Sequence, residues 1–262
     1  MLFEAEHLSK TFGGLTAVRD FNLSLDKGEL VGLIGPNGAG KTTAFNLMTG
    51  IIKPTSGIVR LDERDITAMP AYEVSKLGVA RTFQNLRLLK GVSSLQNVVT
   101  AVQRDYSYSF ASALLRTSHF KRQEKAAKEK AQEYLDIVGL GHMANSQADS
   151  LPYGLQRKLE IARALALSPK VLLLDEPAAG MNPDESLELM NLIECLRKKY
   201  DLTILLIEHH MELVMGICER IIVLNFGEVL AEGSPEEIQA NEEVITAYLG
   251  PDDGEDEEEV LS

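Results

Sequence analysis

Cysteine is scarce in this 262-residue chain, positive charge is in deficit, and no long apolar run occurs. Only Cys195 and Cys218 are present, both in segments that read as structured interior. Two cysteines at this length exclude a disulfide framework and point to a reduced, cytosolic compartment. The longest aliphatic runs, VLLL at 171–174 and ILLI at 204–207, are strand-sized and far short of a membrane span. The opening stretch MLFEAEHLSK lacks the basic start and apolar core of a secretory signal. There are 26 Lys and Arg against 39 Asp and Glu, a formal net charge of −13. Seven of those acids (Asp252, Asp253, Glu255, Asp256, Glu257, Glu258 and Glu259) fall in the stretch 250–262, which carries no base. The rest, 26 bases against 32 acids, is only mildly acidic. A general nucleic-acid binder would be basic.

What is present is ordinary globular material, 45% hydrophobic and 25% charged, enough to bury a core without crosslinks. Short β-branched or leucine-rich runs at 2–7, 17–25, 29–34 and 57–61, separated by glycine and Asp-Lys-Gly turn signals, predict strands. A helix is predicted from the glycine-rich stretch after Ile34 to about Thr49. The region 94–166 reads as helical, with a Lys/Arg/Glu-rich amphipathic stretch over 120–138. From Arg104 to Lys130 seven bases stand against three acids, a local positive patch with two readings, a solvated helical face or a functional surface. VLLLD at 171–175 is a fully apolar strand of the kind found at the centre of a parallel sheet. Asn182-Pro183-Asp184-Glu185 starts a helix, with Asn as cap, Pro in the first position and acids in the first turn. LTILLIE at 202–208 is the next buried strand, and no internal repeat is visible.

Gly35-Pro36-Asn37-Gly38-Ala39-Gly40-Lys41-Thr42 fits G-x-x-x-x-G-K-[ST], between an apolar strand and a helix. The glycines let backbone N–H groups turn inward around phosphates, and the helix N-terminus adds its positive end. Lys41 supplies charge to the β- and γ-phosphates, and the Thr42 hydroxyl coordinates Mg²⁺. This pattern predicts nucleoside triphosphate binding. Asp175 and Glu176 follow Leu172-Leu173-Leu174 at the C-terminal end of a buried strand, where ligands of open α/β sheets bind. Asp175 is placed to hold Mg²⁺ through water, and Glu176 to orient or deprotonate the attacking water.

The phosphate loop, Arg81-Thr82-Phe83-Gln84 after a strand, Leu151-Pro152-Tyr153-Gly154-Leu155-Gln156-Arg157, LLLDEP at 172–177 and Glu208-His209 occur in that order. Together they resemble the ATP-binding-cassette (ABC) ATPase over about residues 1–250. The resemblance implies an α/β P-loop NTPase with a mixed central sheet, an N-terminal antiparallel β layer and a helical subdomain at about 86–165. It also implies two cassettes facing head to tail, each ATP lying between the phosphate loop of one and the signature segment of the other. Carried over residue by residue, Phe12 stacks on adenine, and Thr43 follows Thr42 in touching phosphate. Gln84 contacts Mg²⁺ and the attacking water and couples to the membrane partner. Pro152, Tyr153, Gly154, Leu155 and Gln156 form the signature, and His209 holds the γ-phosphate. Taken singly, Phe12 reads as core, Gln84 carries no signal, and His209 reads as an ordinary satisfied histidine. The motif order overturns all three readings.

FGGLTAV (12–18), VARTFQN (79–85), YGLQRKLEIARAL (153–165), DEPAAGMNP (175–183) and the long segment 207–238 look like the ATPase of bacterial branched-chain amino acid importers. The stretch at about 104–122 is similar to an insertion of that group. Two positions depart from the family at large: it usually has serine where Pro152 stands and aspartate where Asn182 stands, although the branched-chain group commonly has asparagine. The acidic stretch after Gly250 is outside the shared pattern and reads as a disordered, solubilising tail. The resemblance thus implies an ATP- and Mg²⁺-dependent importer motor on the cytoplasmic face of the cell membrane. Its partners would be a second ATPase, a heterodimer being favoured, separate permease chains and a periplasmic substrate-binding protein, with no nucleic acid. A lipid-extracting exporter motor is the nearest alternative. A soluble ABC protein acting on nucleic acid or the ribosome is the other, but such proteins carry paired cassettes, long coiled coils or zinc-bearing insertions that this chain lacks.

Overall fold

A computed structural model describes residues 1–106, 112 and 114–249. In chain order its strands are β1 (Phe3–Phe12), β2 (Leu15–Leu25), β3 (Leu30–Ile34), β4 (Ser56–Leu61), β5 (Arg64–Asp65), β6 (Val79–Arg81), β7 (Val171–Asp175), β8 (Thr203–Ile207), β9 (Arg220–Asn225) and β10 (Glu228–Gly233). They form an antiparallel sheet, β2-β1-β4-β5, and a six-stranded sheet, β10-β9-β3-β8-β7-β6. Within the larger sheet all neighbours are parallel except β10, which returns antiparallel on β9. This is the mixed sheet with an antiparallel layer that the resemblance implies. The first two strands run longer than the apolar runs suggest, because Gly13 and Gly14, both at positive φ, turn the chain back only after Phe12.

β3, β7 and β8 are buried along their whole length, which is why their sequences read as unbroken apolar runs. Successive side chains point to opposite faces. Val171 and Leu173 of β7 face a core shared with Phe21, Val59 and Phe45, between the two sheets and around helix Lys41–Met48. Leu172 and Leu174 face the other core, with Leu135, Leu159 and Met190 from the helices. Each face of the sheet is therefore covered, and the strand ends are left to carry the polar groups.

The helical region begins at Ser94, as its sequence predicts: residues 86–93 are irregular, and helices Ser94–Val102, Ser118–Ile137 and Tyr153–Leu165 follow. On Ser118–Ile137, Lys125, Lys128 and Lys130 pair with Glu129, Glu124 and Glu133 of the same helix. That part of the basic patch is a solvated helical face. Residues 107–111 and 113 of the patch, and the acidic stretch 250–262, lie outside the described residues. Helix Pro183–Tyr200 starts as its sequence predicts: the Asn182 side chain accepts from the Glu185 amide at 2.9 Å in a reciprocal capping box, with Pro183 in the first position. Among the described residues no helix is long and apolar enough to cross a membrane.

One expectation is corrected. Cys195 is exposed, because its position on helix Pro183–Tyr200 lies outside the buried stripe formed by Leu189, Ile193 and Leu196; Cys218 alone is interior. Burial pushes the Cys218 thiol up to about 12, and the thiolate is the reactive form. Titration of the folded protein with a thiol reagent is expected to modify Cys195 and spare Cys218 until denaturant is added. Prompt reaction at both residues in the folded state would contradict this packing.

Candidate nucleotide-binding site

The phosphate loop leaves the end of β3 and enters helix Lys41–Met48. Gly35 (φ 147°) and Gly40 (φ 103°) are required by their surroundings as well as by their backbone. A Cβ on Gly35 would lie 2.0 Å from the Leu224 carbonyl oxygen, and one on Gly40 would lie 2.5 Å from that of Ala17. The loop is thus wedged between β2 and the β9–β10 hairpin, which is tied to it by the Gly227 amide donating to Ala39 at 2.9 Å. Gly40 caps the helix without a side-chain hydrogen bond. First-turn amides have no intrahelical acceptor, so this end suits an anion. Lys41 is only 6% exposed. Its ammonium donates to the Gly35 and Pro36 carbonyls at 2.6 and 2.9 Å. Burial lowers its pKa, opposed by the charges of Glu176 and Asp175. Thr42 is exposed on the first turn, and Thr43 beside it is half-buried.

The acids stand at the end of β7. Asp175 is buried, and its Oδ2 accepts from Arg81 Nη2 at 2.7 Å. The Arg81 guanidinium lies between the rings of Phe45 and Phe83, 5.3 and 5.0 Å from their centroids, and its Nη1 donates to Asn46 at 2.7 Å. One cation therefore joins the phosphate-loop helix, the Gln84 segment and the acid strand. Glu176 has a left-handed backbone (φ 47°), a conformation that costs a non-glycine residue about 1–3 kcal/mol and concentrates at functional sites. Its carboxylate is reached from both neighbouring strand ends. Gln84, beyond β6, donates through Nε2 to Glu176 Oε2 at 2.8 Å. His209, beyond β8, places Nε2 2.5 Å from Glu176 Oε1. Lys41, Gln84, Asp175, Glu176 and His209 are thereby brought together at one edge of the sheet.

Three residues of this region carried no assignment in the sequence. Arg81 was part of a motif without a role. Glu208, 1% exposed, accepts from the amides of Ala178 (2.8 Å) and His209 (3.1 Å), fixing the loop after Glu176 and the histidine together. A carboxylate closing a buried strand is the signal that could have marked it. Tyr248 of helix Glu242–Leu249 reaches back to the phosphate loop: burial raises its pKa, and the Gly35 amide opposes the shift. No local pattern announces that contact.

Phe12 ends β1 at the hairpin turn, 47% exposed, with Lys10 Nζ 5.1 Å from its ring centroid. It is a surface ring, and its solvent-facing position excludes the core reading. The segment Pro152–Gln156 lies against the loop after Glu176. Tyr153 borders Gly180, and Gly154 borders Met181. Pro152 is the N-cap of helix Tyr153–Leu165 and offers it no side-chain hydrogen bond. Leu155 is half-buried, and the Gln156 side-chain Nε2 donates to the Leu151 carbonyl at 2.7 Å.

A phosphate loop, a buried strand ending in two acids, and a glutamine and a histidine converging on the second acid define a nucleotide-binding ATPase of the P-loop class. The chain belongs to the ABC transporter family, which it matches over residues 18–179, with a second match over 228–252 to the branched-chain amino acid ATP-binding cassette transporter family. It is 47% identical to the high-affinity branched-chain amino acid transport ATP-binding protein BraF of Pseudomonas aeruginosa, over 95% of this chain and 98% of that one. It is 48% identical, with the same coverage, to the corresponding protein LivG of Salmonella typhimurium. A solved ATP-binding cassette of an ABC transporter in its ADP conformation superposes with a TM-score of 0.83 at 30% identity, covering 95% of this chain and 98% of that chain.

Proposed function

We propose that this chain is the ATP-hydrolysing motor of an importer for branched-chain or related amino acids. The observation that carries the hydrolytic assignment is the convergence of Gln84 and His209 on the Glu176 carboxylate. The phosphates lie against the loop 35–43, with the Lys41 ammonium exchanging its two carbonyl contacts for β- and γ-phosphate oxygens. Phe12, exposed at the hairpin, stacks on adenine. Thr42, Asp175 and Gln84 would hold Mg²⁺, a set of hard oxygen donors that suits an ion taking its other ligands from phosphate and water. When bound, that ion neutralises charge on the β- and γ-phosphates. Glu176 orients and deprotonates the attacking water, Gln84 fixes the carboxylate from one side, and His209 holds it from the other and faces the γ-phosphate.

Residues 1–250 act as one cassette, with residues 86–165 as its signature-bearing arm. ATP that binds the closed pair of cassettes better than the open one drives closure, and hydrolysis releases it. With no membrane-spanning helix among the described residues, the chain meets the membrane through permease subunits, on its cytoplasmic face, and a periplasmic binding protein supplies substrate. The match at 228–252 supports import of branched-chain amino acids over lipid extraction. Pull-down of the chain from detergent-solubilised membranes is expected to recover permease chains and a second ATPase, and deletion of its gene to abolish leucine uptake. Recovery of lipid-transport chains or ribosomes, with uptake intact, would overturn the assignment.

Pro152 argues for a mixed pair. Serine at this place in the family donates its hydroxyl to the γ-phosphate across the interface, whereas proline has neither a hydroxyl nor an N–H. One hydrogen bond to a charged group is worth about 1.5–3 kcal/mol. The signature of this chain is therefore a weak one, and the working dimer uses a second ATPase whose own signature completes this chain's phosphate loop. The purified chain is expected to be largely monomeric and a slow ATPase. Pro152→Ser in a Glu176→Gln background should tighten its ATP-dependent self-association, read by sedimentation at matched ATP. Equal dimer affinity with and without the serine would remove Pro152 from this role.

A further inference from the structure

One face of helix Tyr153–Leu165 grips the segment that carries Gln84. Arg157 is 2% exposed. Its Nη1 donates to the Phe83 carbonyl at 2.8 Å and to Glu160 at 3.2 Å, and its Nη2 donates to the Gln84 carbonyl and to the Tyr153 hydroxyl. Three residues on, Glu160 accepts from the Arg87 amide at 3.2 Å, and Arg163 donates to the Arg87 carbonyl. Burial raises the Glu160 pKa, an effect that the Arg87 amide and the Arg157 charge oppose. Residues 83–87 lie beyond β6 and outside any helix, so side chains of the signature helix supply hydrogen bonds that a sheet ladder would otherwise provide. The Arg157 Nε has no partner, so its hold rests on the two terminal nitrogens of the planar fork.

The Gln84 side chain extends the other way, to Glu176 Oε2 at 2.8 Å. A continuous run of bonds therefore leads from the signature helix through Arg157 to the Gln84 backbone, then through the Gln84 amide to Glu176. We propose that Arg157 is a positioning residue: it sets Gln84 against Glu176, so that the placement of the signature helix decides whether the carboxylate is aligned for hydrolysis. This rests on the hydrolytic roles of Gln84 and Glu176 proposed above. Where the signature engages the nucleotide of the partner cassette, Arg157 carries the occupancy of that site to the carboxylate of this one.

A double-mutant cycle on ATP turnover by the full chain tests it. Arg157→Lys keeps the charge and loses the fork. It is expected to lower kcat by about ten- to a hundredfold, the cost of a small misplacement at a reacting group, with KM for ATP nearly unchanged. In a Gln84→Ala background the same change should alter kcat by less than about twofold, because the side chain it positions is gone. An equal fold-loss in both backgrounds would overturn the proposal and leave the hydrolytic site standing. Wild-type turnover by Gln84→Ala would overturn the role of Gln84 and this inference with it. If Arg157→Lys does not fold, as thermal unfolding would show, Glu160→Gln, which weakens the hold on Arg157 and Arg87 while conserving volume, enters the same cycle with the same expected outcomes.

Discussion

Replacing Glu176 by glutamine is expected to leave nucleotide binding intact and to slow hydrolysis by on the order of 10²–10⁴-fold, the range for loss of a positioned general base. The local geometry makes this a clean experiment. Glutamine has the volume of glutamate, and its amide oxygen can still accept from Gln84 Nε2, now 2.8 Å from the carboxylate. The left-handed backbone at φ 47° costs either residue the same, so backbone strain cancels in the comparison. What changes is the loss of a basic oxygen beside His209, the group proposed to act on the attacking water. Phosphate release should therefore collapse, fluorescent nucleotide titration should stay near wild type, and the ATP-bound pair should accumulate on a sizing column with the partner ATPase. Turnover within a fewfold of wild type would take Glu176 out of the mechanism.

Lys41→Ala should fail at the step before. The Lys41 ammonium is nearly enclosed and desolvated, held by the Gly35 and Pro36 carbonyls at 2.6 and 2.9 Å. A charged contact to phosphate is worth about 1.5–3 kcal/mol, which is at least tenfold in affinity. The unliganded fold has less at stake. The variant gives up two hydrogen bonds to carbonyls but also removes a buried charge whose pKa burial already lowers. Thermal unfolding without nucleotide should therefore move little, whereas the stabilisation that ATP gives the wild type should disappear. A variant with unchanged nucleotide affinity, or one that simply unfolds, would contradict this division of labour.

Much of the site was legible because its parts are local in the chain. The glycines of 35–40, the lysine that follows and the helix start at Asn182 are each confined to a few residues whose backbone chemistry dictates the turn or cap. The apolar runs of β3, β7 and β8 were equally plain, because a strand covered on both faces has no polar positions to disguise it. Phe12 shows where such reasoning thins. Taken alone an aromatic reads as core, and only the hairpin at Gly13 and Gly14 places it at a surface. Cys195 erred the other way, since a helix with a narrow buried stripe leaves adjacent positions in water.

By itself the sequence determined that the chain binds a nucleoside triphosphate, which two acids could serve its hydrolysis, and which family the motif order belongs to. Those are properties of short segments and of their succession. The tertiary structure alone decided the pairings across the chain: Arg81 on Asp175, Arg157 on the carbonyls of Phe83 and Gln84, and Glu208 on the amide of Ala178. Each joins groups whose residues carry no mutual signal in sequence. Each exists because parallel strands deliver their C-terminal ends to one edge, where buried polar and charged groups must find partners in whatever segment the fold brings beside them.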